Sequence, residues 1–299
     1  MSSTYFEANS KFSLITFFVR LNNMSILWLA ISLIYSFLFI LLGIISSPYT
    51  NDLVGGIIKR IYFIIIETSL ELIPKHLLHE PKIIKIARKL GKSPNNMLLE
   101  VSYHRMFIKK LPYSEKRGRP DILHTTLLYI FDSPINREGY LNVYVHTIND
   151  EVFWFNPKIR IPKTYQRFKG LMVQLLKKSI IISDSGEILI KKEDISIDDL
   201  ISKINGPVFL FSEKGAFKPP TLIAKELLEY ENPCILIGGF PHGDFSRRFY
   251  EAANNVYSID PEPLATWTVA SKIITSIENA VSYTHLRAHE TSLHLVCRL

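Results

Sequence analysis

Charged side chains gather in the stretch from Arg117 to Gln174, and their spacing suggests chemistry on a polyanion. In the block KRGRPDILH (116–124), Arg119 and Asp121 flank Pro120. A carboxylate two residues from a guanidinium can hold it in place through an ion pair. The same Asp121 is a candidate general base, although a carboxylate already paired with arginine is a poor one. A purely structural turn pinned by Pro120 fits the same three residues. Further along, Arg160, Lys163 and Arg167 stand three and four residues apart around the expected start of a helix. There they would add cationic charge to a helix N-terminus, whose dipole already favours anions, and a phosphate backbone is the natural partner. Three basic residues on the solvated face of an amphipathic helix would look the same.

Other chemistries find little support. No GxGxxG follows the first strand, no P-loop lysine follows Gly238 and Gly243, and no GxSxG elbow is present. Cys234 and Cys297 are too few for a thiolate zinc site or a disulfide framework. His76 and His79 form a lone HxxH, and His285 and His289 have helical zinc spacing but Leu286 where a catalytic Glu belongs. No metal site is expected.

The elements that must carry these residues can be read from periodicity. Ile61 to Ile66 is a continuous apolar run that reads as a buried strand, and Pro81 to Leu90 as a short helix ended by Gly91. Asn96 to Ser102 and Thr125 to Phe131 read as two further apolar strands. Leu141 to Thr147 alternates like a half-buried strand and pairs with Val152 to Phe155 across an Asn149-Asp150 turn. Thr164 is the expected N-cap of a helix carrying Phe168, Leu171, Met172, Leu175 and Leu176. Ile180 to Ile182 and Ile188 to Ile190 form a hairpin, Val208 to Phe211 and Cys234 to Ile237 are short strands, and Pro263 opens a last helix to about Val281. Strands alternating with helices predict an α/β domain.

Three segments of unequal standing make up the 299 residues, 47% of them hydrophobic. Residues 1–57 carry no net charge and contain an uncharged block, 25–47, long enough to span a bilayer. Residues 282–299 break the preceding helical pattern and look like a foreign tail. Residues 58–281 hold 31 basic and 25 acidic side chains, a modest excess that suits a polyanionic partner.

The blocks IYFIIIETSLELIP, RPDILH, LLYIFDSPIN, NPKIRIPKTYQRFKGLMVQLL and ILIGGFPHG occur in this order between Ile61 and Val281. Together they resemble the pseudouridine N1-specific rRNA methyltransferases of ribosome biogenesis, which are SPOUT or α/β-knot methyltransferases of archaea and eukaryotes. The resemblance implies a sheet whose C-terminal part is threaded into a trefoil knot, a rare exception to unknotted topology. It also implies S-adenosylmethionine as cofactor, small-subunit rRNA in a ribosome precursor as substrate, and a homodimer working in the cytoplasm. Matched residue by residue, the methyl donor would be held by the loop Leu210-Phe211-Ser212, chiefly Leu210, by Gly238, Gly243, Asp244 and Phe245 of GGFPHGDF, and by Ser258, Ile259 and Leu264 of SIDPEPL. Arg119, Arg160, Lys163 and Arg167 would face RNA, with Arg119 and Asp121 at the reacting base. Lys163 stands where the family has arginine, which turns a bidentate phosphate grip into a point charge. His242 likewise departs from a basic residue common in eukaryotic members.

The resemblance does not reach residues 1–57 or 282–299, which suggests a misassigned start and an extraneous end. Ile- and Lys-rich usage looks archaeal. Two other readings stay open at this level: a non-catalytic RNA-binding assembly factor, and a protein tethered to a membrane through residues 25–47.

Overall fold

The computed structural model describes the backbone of residues 60–296 and the side chains of residues 60–281. The chain begins with β1 (Ile61–Thr68), α1 (Pro81–Lys89), α2 (Val101–Ile108), α3 (Pro120–Asp132) and the single turn α4 (Pro134–Arg137). Next come β2 (Leu141–Thr147), β3 (Val152–Phe155), α5 (Tyr165–Lys178), β4 (Ile180–Ile182), β5 (Ile188–Glu193) and α6 (Ile197–Lys203). The last part holds β6 (Val208–Phe217), α7 (Pro220–Leu227), β7 (Cys234–Gly238), α8 (Arg247–Ala252), β8 (Asn255–Ser258) and α9 (Thr266–Val296).

All eight strands join one sheet in the order β4-β5-β3-β2-β1-β7-β6-β8. β2, β1, β7, β6 and β8 run parallel, while β3, β5 and β4 continue the sheet antiparallel. The expected α/β class is therefore what the chain adopts. β1 is central, which explains its unbroken apolar run: Phe63 and Ile65 face one layer of helices, and Ile64 and Ile66 the other. The first layer packs Leu123, Leu127 and Ile130 of α3, Phe168 and Met172 of α5, and Ile273 and Ile277 of α9 on the sheet. On the opposite face, α6 and α8 contribute Ile197, Leu200, Ile201 and Phe249. A separate small core around Ile73, Ile83, Leu99 and Phe107 holds α1 and α2.

Four readings of the sequence need correction. Thr125 to Phe131 lies in α3, not in a strand: Pro120 starts the helix and Asp121 sits in its first turn. The run lacks helical periodicity because α3 is buried almost all round, between the sheet, α5 and α9. Asn96 to Ser102 is no strand either. It makes a single bridge, Leu72 to Leu98, before α2 begins: Met97 and Leu99 serve the small core, and only Leu98 turns to the main one. The last helix opens at Thr266, three residues beyond Pro263. It runs past Val281 to Val296, through a stretch with neither Gly nor Pro.

The N-terminal apolar block at 25–47 lies outside the described residues, as do the tail side chains, including His285 and His289. Among the described residues no helix is long and apolar enough to cross a membrane, and no cluster of metal-ligating side chains occurs.

Candidate functional site

The parallel strands β6, β7 and β8 end on the same edge, and the loops that follow them enclose a cavity of about 330 Å³. β7 leads into Gly238-Gly239, where the chain turns back against β1: Gly239 N–H donates to Ile66 O at 2.8 Å, and Ser69 N–H to Gly239 O at 3.1 Å. A Cβ on Gly239 would lie 2.2 Å from Thr68 Cγ2, so only glycine fits this approach. Gly243, with φ +99°, supplies the second reversal in the loop. From α9, Thr266 Oγ1 donates to Gly238 O at 2.7 Å and fixes the mouth of β7.

Of the residues expected to hold a methyl donor, Gly238, Gly243, Asp244, Phe245, Ser258, Ile259 and Leu264 line this cavity. Leu210 does not. It is fully buried among Ile64, Leu236 and Phe249 on the far face of β6, while Phe211 and Ser212 of the same expected loop do line the cavity. Alternation along a strand is the reason: the neighbour of a cavity-facing residue faces the core.

Ile237, Phe240, Ile259, Leu264 and Val269 make the walls apolar, while Glu213, Asp244, Asp260 and Glu262 place carboxylates around them. Asp244 is held by Lys214 Nζ at 2.6 Å, Tyr250 OH at 2.6 Å and Phe245 N–H at 2.8 Å. Burial pushes its carboxyl up, but these bonds to Lys214, Tyr250 and Phe245 outweigh it and keep the group below the usual range. Burial, with the bond to Asp244 adding to it, raises the Tyr250 hydroxyl to about 12. Asp260 meets Lys272 at 3.4 Å, whereas Glu213 and Glu262 have no ion-pair partner among the described residues. The cavity thus favours a ligand that combines apolar surface with positive charge.

Arg119 stands at the start of α3 and grips Asp121 from two nitrogens, Nε at 2.9 and 3.1 Å and Nη2 at 2.8 Å. These bonds raise the guanidinium pKa further. Both carboxylate oxygens are engaged, so the orienting role fits Asp121 better than that of a free base. Tyr165, which opens α5, is close enough to Arg119 and Asp121 to feel both charges. Its hydroxyl donates to Glu100 at 3.1 Å, and Glu100 forms a buried ion pair with Lys169 at 3.0 Å. The His124 ring stacks on Phe168 at 4.5 Å, and its Nε2 meets Pro162 O at 2.8 Å. These contacts lock the loop before α5 to α3.

In that loop Ile159 and Ile161 point inward, which leaves Arg160 exposed between them. Lys163 and Arg167 are exposed as well, and none of the three has an ion-pair partner among the described residues. Thr164 is the N-cap as expected, without a side-chain cap bond. The His124 and Tyr165 contacts thus join the start of α3, with Arg119 and Asp121, to the start of α5, with Arg160 and Lys163 before it and Arg167 in its first turn, and together these segments form the cationic side of the site.

The segment before Arg119 joins this side to the cavity. Lys116 Nζ sits 4.9 Å from the ring centre of Phe240 and bonds Glu67 at 2.9 Å, while Arg117 pairs with Glu71 and the Ser69 hydroxyl with the Lys116 carbonyl. Sequence reasoning missed the roles of Lys116 and Glu67. The one signal available was an acidic residue placed directly after six apolar ones in IYFIIIE.

Comparison with known proteins decides the family. The model of the EMG1/NEP1 methyltransferase family matches residues 63–278. The chain belongs to the EMG1/NEP1 methyltransferase family. Among similar members is the ribosomal RNA small subunit methyltransferase Nep1 of Staphylothermus marinus, 43% identical over 222 residues, which cover 74% of this chain and 96% of that protein. The Nep1 of Thermococcus kodakarensis is 40% identical, over 74% of this chain and 99% of its own. Among solved structures, Archaeoglobus fulgidus Nep1 bound to S-adenosylhomocysteine superposes with a TM-score of 0.66 at 33% identity, covering 76% of this chain and all of that one. The EMG1/NEP1 match thus spans β1 to α9, including every residue of the cavity and of the cationic side.

Proposed function

We propose that this protein is an S-adenosylmethionine-dependent methyltransferase acting on N1 of a pseudouridine in small-subunit rRNA. The observation that carries the reading is the acid-lined cavity at the ends of β6, β7 and β8, in a chain that also exposes Arg160, Lys163 and Arg167 with no ion-pair partner among the described residues. The Nep1 relatives and the homologue bound to S-adenosylhomocysteine support the same assignment.

The cavity suits the cofactor. Its volume of about 330 Å³ falls at the lower end of what small-molecule sites enclose, roughly 300–1,000 Å³. Ile237, Ile259, Leu264 and Val269 offer apolar surface to a purine, and Glu213 and Glu262 offer negative charge to a sulfonium and an amine. When bound, the cofactor supplies a methyl group already activated on sulfur.

What remains for the protein is mainly positioning. Arg160, Lys163 and Arg167 engage phosphates, and Arg119 faces the target base. Once N1 has lost its proton to water, the guanidinium balances the negative charge left on the ring until N1 takes the methyl group, and Asp121 holds the guanidinium in the orientation to do so. The base must be unstacked to reach the cavity, which suits a loop of rRNA.

The same reading makes residues 58–281 the catalytic domain, with β6, β7 and β8 threaded as a trefoil knot. It makes the working form a homodimer on ribosome precursors in the cytoplasm. The test is incubation of small-subunit rRNA with the protein and S-adenosylmethionine labelled in its methyl group, followed by nucleoside mass analysis. A labelled methylpseudouridine is expected. Cofactor binding without any labelled nucleoside would overturn the proposal in favour of an assembly factor.

A further inference from the structure

Glu67 is the last residue but one of β1, its side chain is buried, and it bonds both the segment before Arg119 and the loop that lines the cavity. Its carboxylate accepts from Lys116 Nζ at 2.9 Å, from Ser246 N–H at 3.3 Å and from the Ser246 hydroxyl. Ser246 directly follows Phe245, which lines the cavity. Lys116 lies three residues before Arg119, and its ammonium rests 4.9 Å from the ring centre of Phe240, another lining residue.

The backbone of Glu67 is left-handed, with φ +52°, an unusual state for a residue with a side chain. It is held there from below: Glu67 N–H donates to His146 Nδ1 at 3.1 Å, and His146 Nε2 meets Asp150 at 2.8 Å. Surroundings that enforce an unfavourable backbone commonly serve a site rather than stability alone.

We infer that Glu67 is a positioning residue that couples the two halves of the site, so that filling the cavity tightens RNA binding and RNA tightens cofactor binding. The inference rests on the methyltransferase reading above. The physical argument is that one carboxylate serves both loops. Its oxygens can satisfy Lys116 and Ser246 together only when the 113–119 segment and the 240–246 loop stand in one mutual register. A ligand that fixes either loop therefore fixes the other. Lys116 is itself buried, so an uncharged partner at position 67 would not hold it as tightly.

The test is titration calorimetry with S-adenosylhomocysteine on the full chain, alone and saturated with an RNA hairpin carrying pseudouridine in its loop. Variants are Glu67→Gln and the double variant Glu67→Gln with Lys116→Met, which removes both charges and leaves neither buried alone. In the wild type RNA should tighten S-adenosylhomocysteine binding by roughly fivefold or more, with the reciprocal effect on RNA. In both variants the ratio should fall to about one while thermal unfolding stays cooperative. A merely structural carboxylate would lower the melting temperature and leave the ratio unchanged, which overturns the inference. So does a wild type that binds both ligands without coupling. A wild type that binds no S-adenosylhomocysteine overturns the methyltransferase reading, and this inference with it.

Discussion

Arg119 and Asp121 are both more than a third exposed, yet they form a two-nitrogen grip that fixes where the guanidinium points. If Asp121 orients Arg119, Asp121→Asn should lower kcat/KM for RNA about tenfold, the cost of weakening a charge-assisted bond, and leave the cofactor dissociation constant unchanged. The pH profile of kcat should keep its shape; loss of its acidic limb would identify Asp121 as the base instead. A second expectation concerns His104, which is fully buried in α2 and accepts the Glu100 N–H at 3.0 Å. Burial depresses its pKa from 6.5 to about 4. Between these values the unfolded chain binds a proton that the folded one refuses, so stability rises with pH there and is lost as pH falls from 6.5 towards 4. Urea unfolding across that range should show a slope that His104→Gln flattens. The Arg119-Asp121 pair could be read from sequence because both partners are adjacent. Glu67 and Lys116 could not, because 49 residues separate them and only the fold joins them.

Among the elements, the β1–β7 contact is the most demanding. Gly239→Ala would drive a methyl into Thr68 and Ile65, atoms held by the central strand, and overpacking of this kind costs about 1–3 kcal/mol or more. A drop in Tm of several degrees should accompany weaker cofactor binding, since Gly238 next door lines the cavity. An unchanged Tm would mean that the two strands separate easily. Elements with one exposed side were legible: the β2–β3 hairpin from its alternation and its Asn149-Asp150 turn, and α5 from its spaced Phe168, Met172 and Leu175. α3 was not, since an element covered on nearly every side carries no polar face to reveal its period. In the β6 loop Phe211 and Ser212 were legible, whereas Leu210 was not, as pleating turns it away from the face that Phe211 presents to the cavity.

For the whole molecule, the excess of positive charge resides in residues 58–281, and part of it is exposed as Arg160, Lys163 and Arg167 beside Arg119. If Arg160, Lys163 and Arg167 contact phosphate, the logarithm of RNA affinity should fall with the logarithm of salt concentration with a slope of about −2. Lys163→Glu should make that slope shallower by about one, whereas S-adenosylhomocysteine binding should respond little to salt. A salt-independent RNA affinity would remove the cationic strip from the interface.

The sheet order has a consequence for how the protein is made. β1 leaves the synthesis machinery first, but its neighbour on one side is β7, with Tyr62 paired to Cys234. The central strand must therefore wait, its Ile-rich edge open, until nearly the whole sheet has been translated. Pairings so distant along the chain are slow to form and expose sticky intermediates meanwhile. Nascent chains truncated before Cys234 should accordingly depend on chaperones, and folding of this enzyme should begin in earnest only as its last strands emerge.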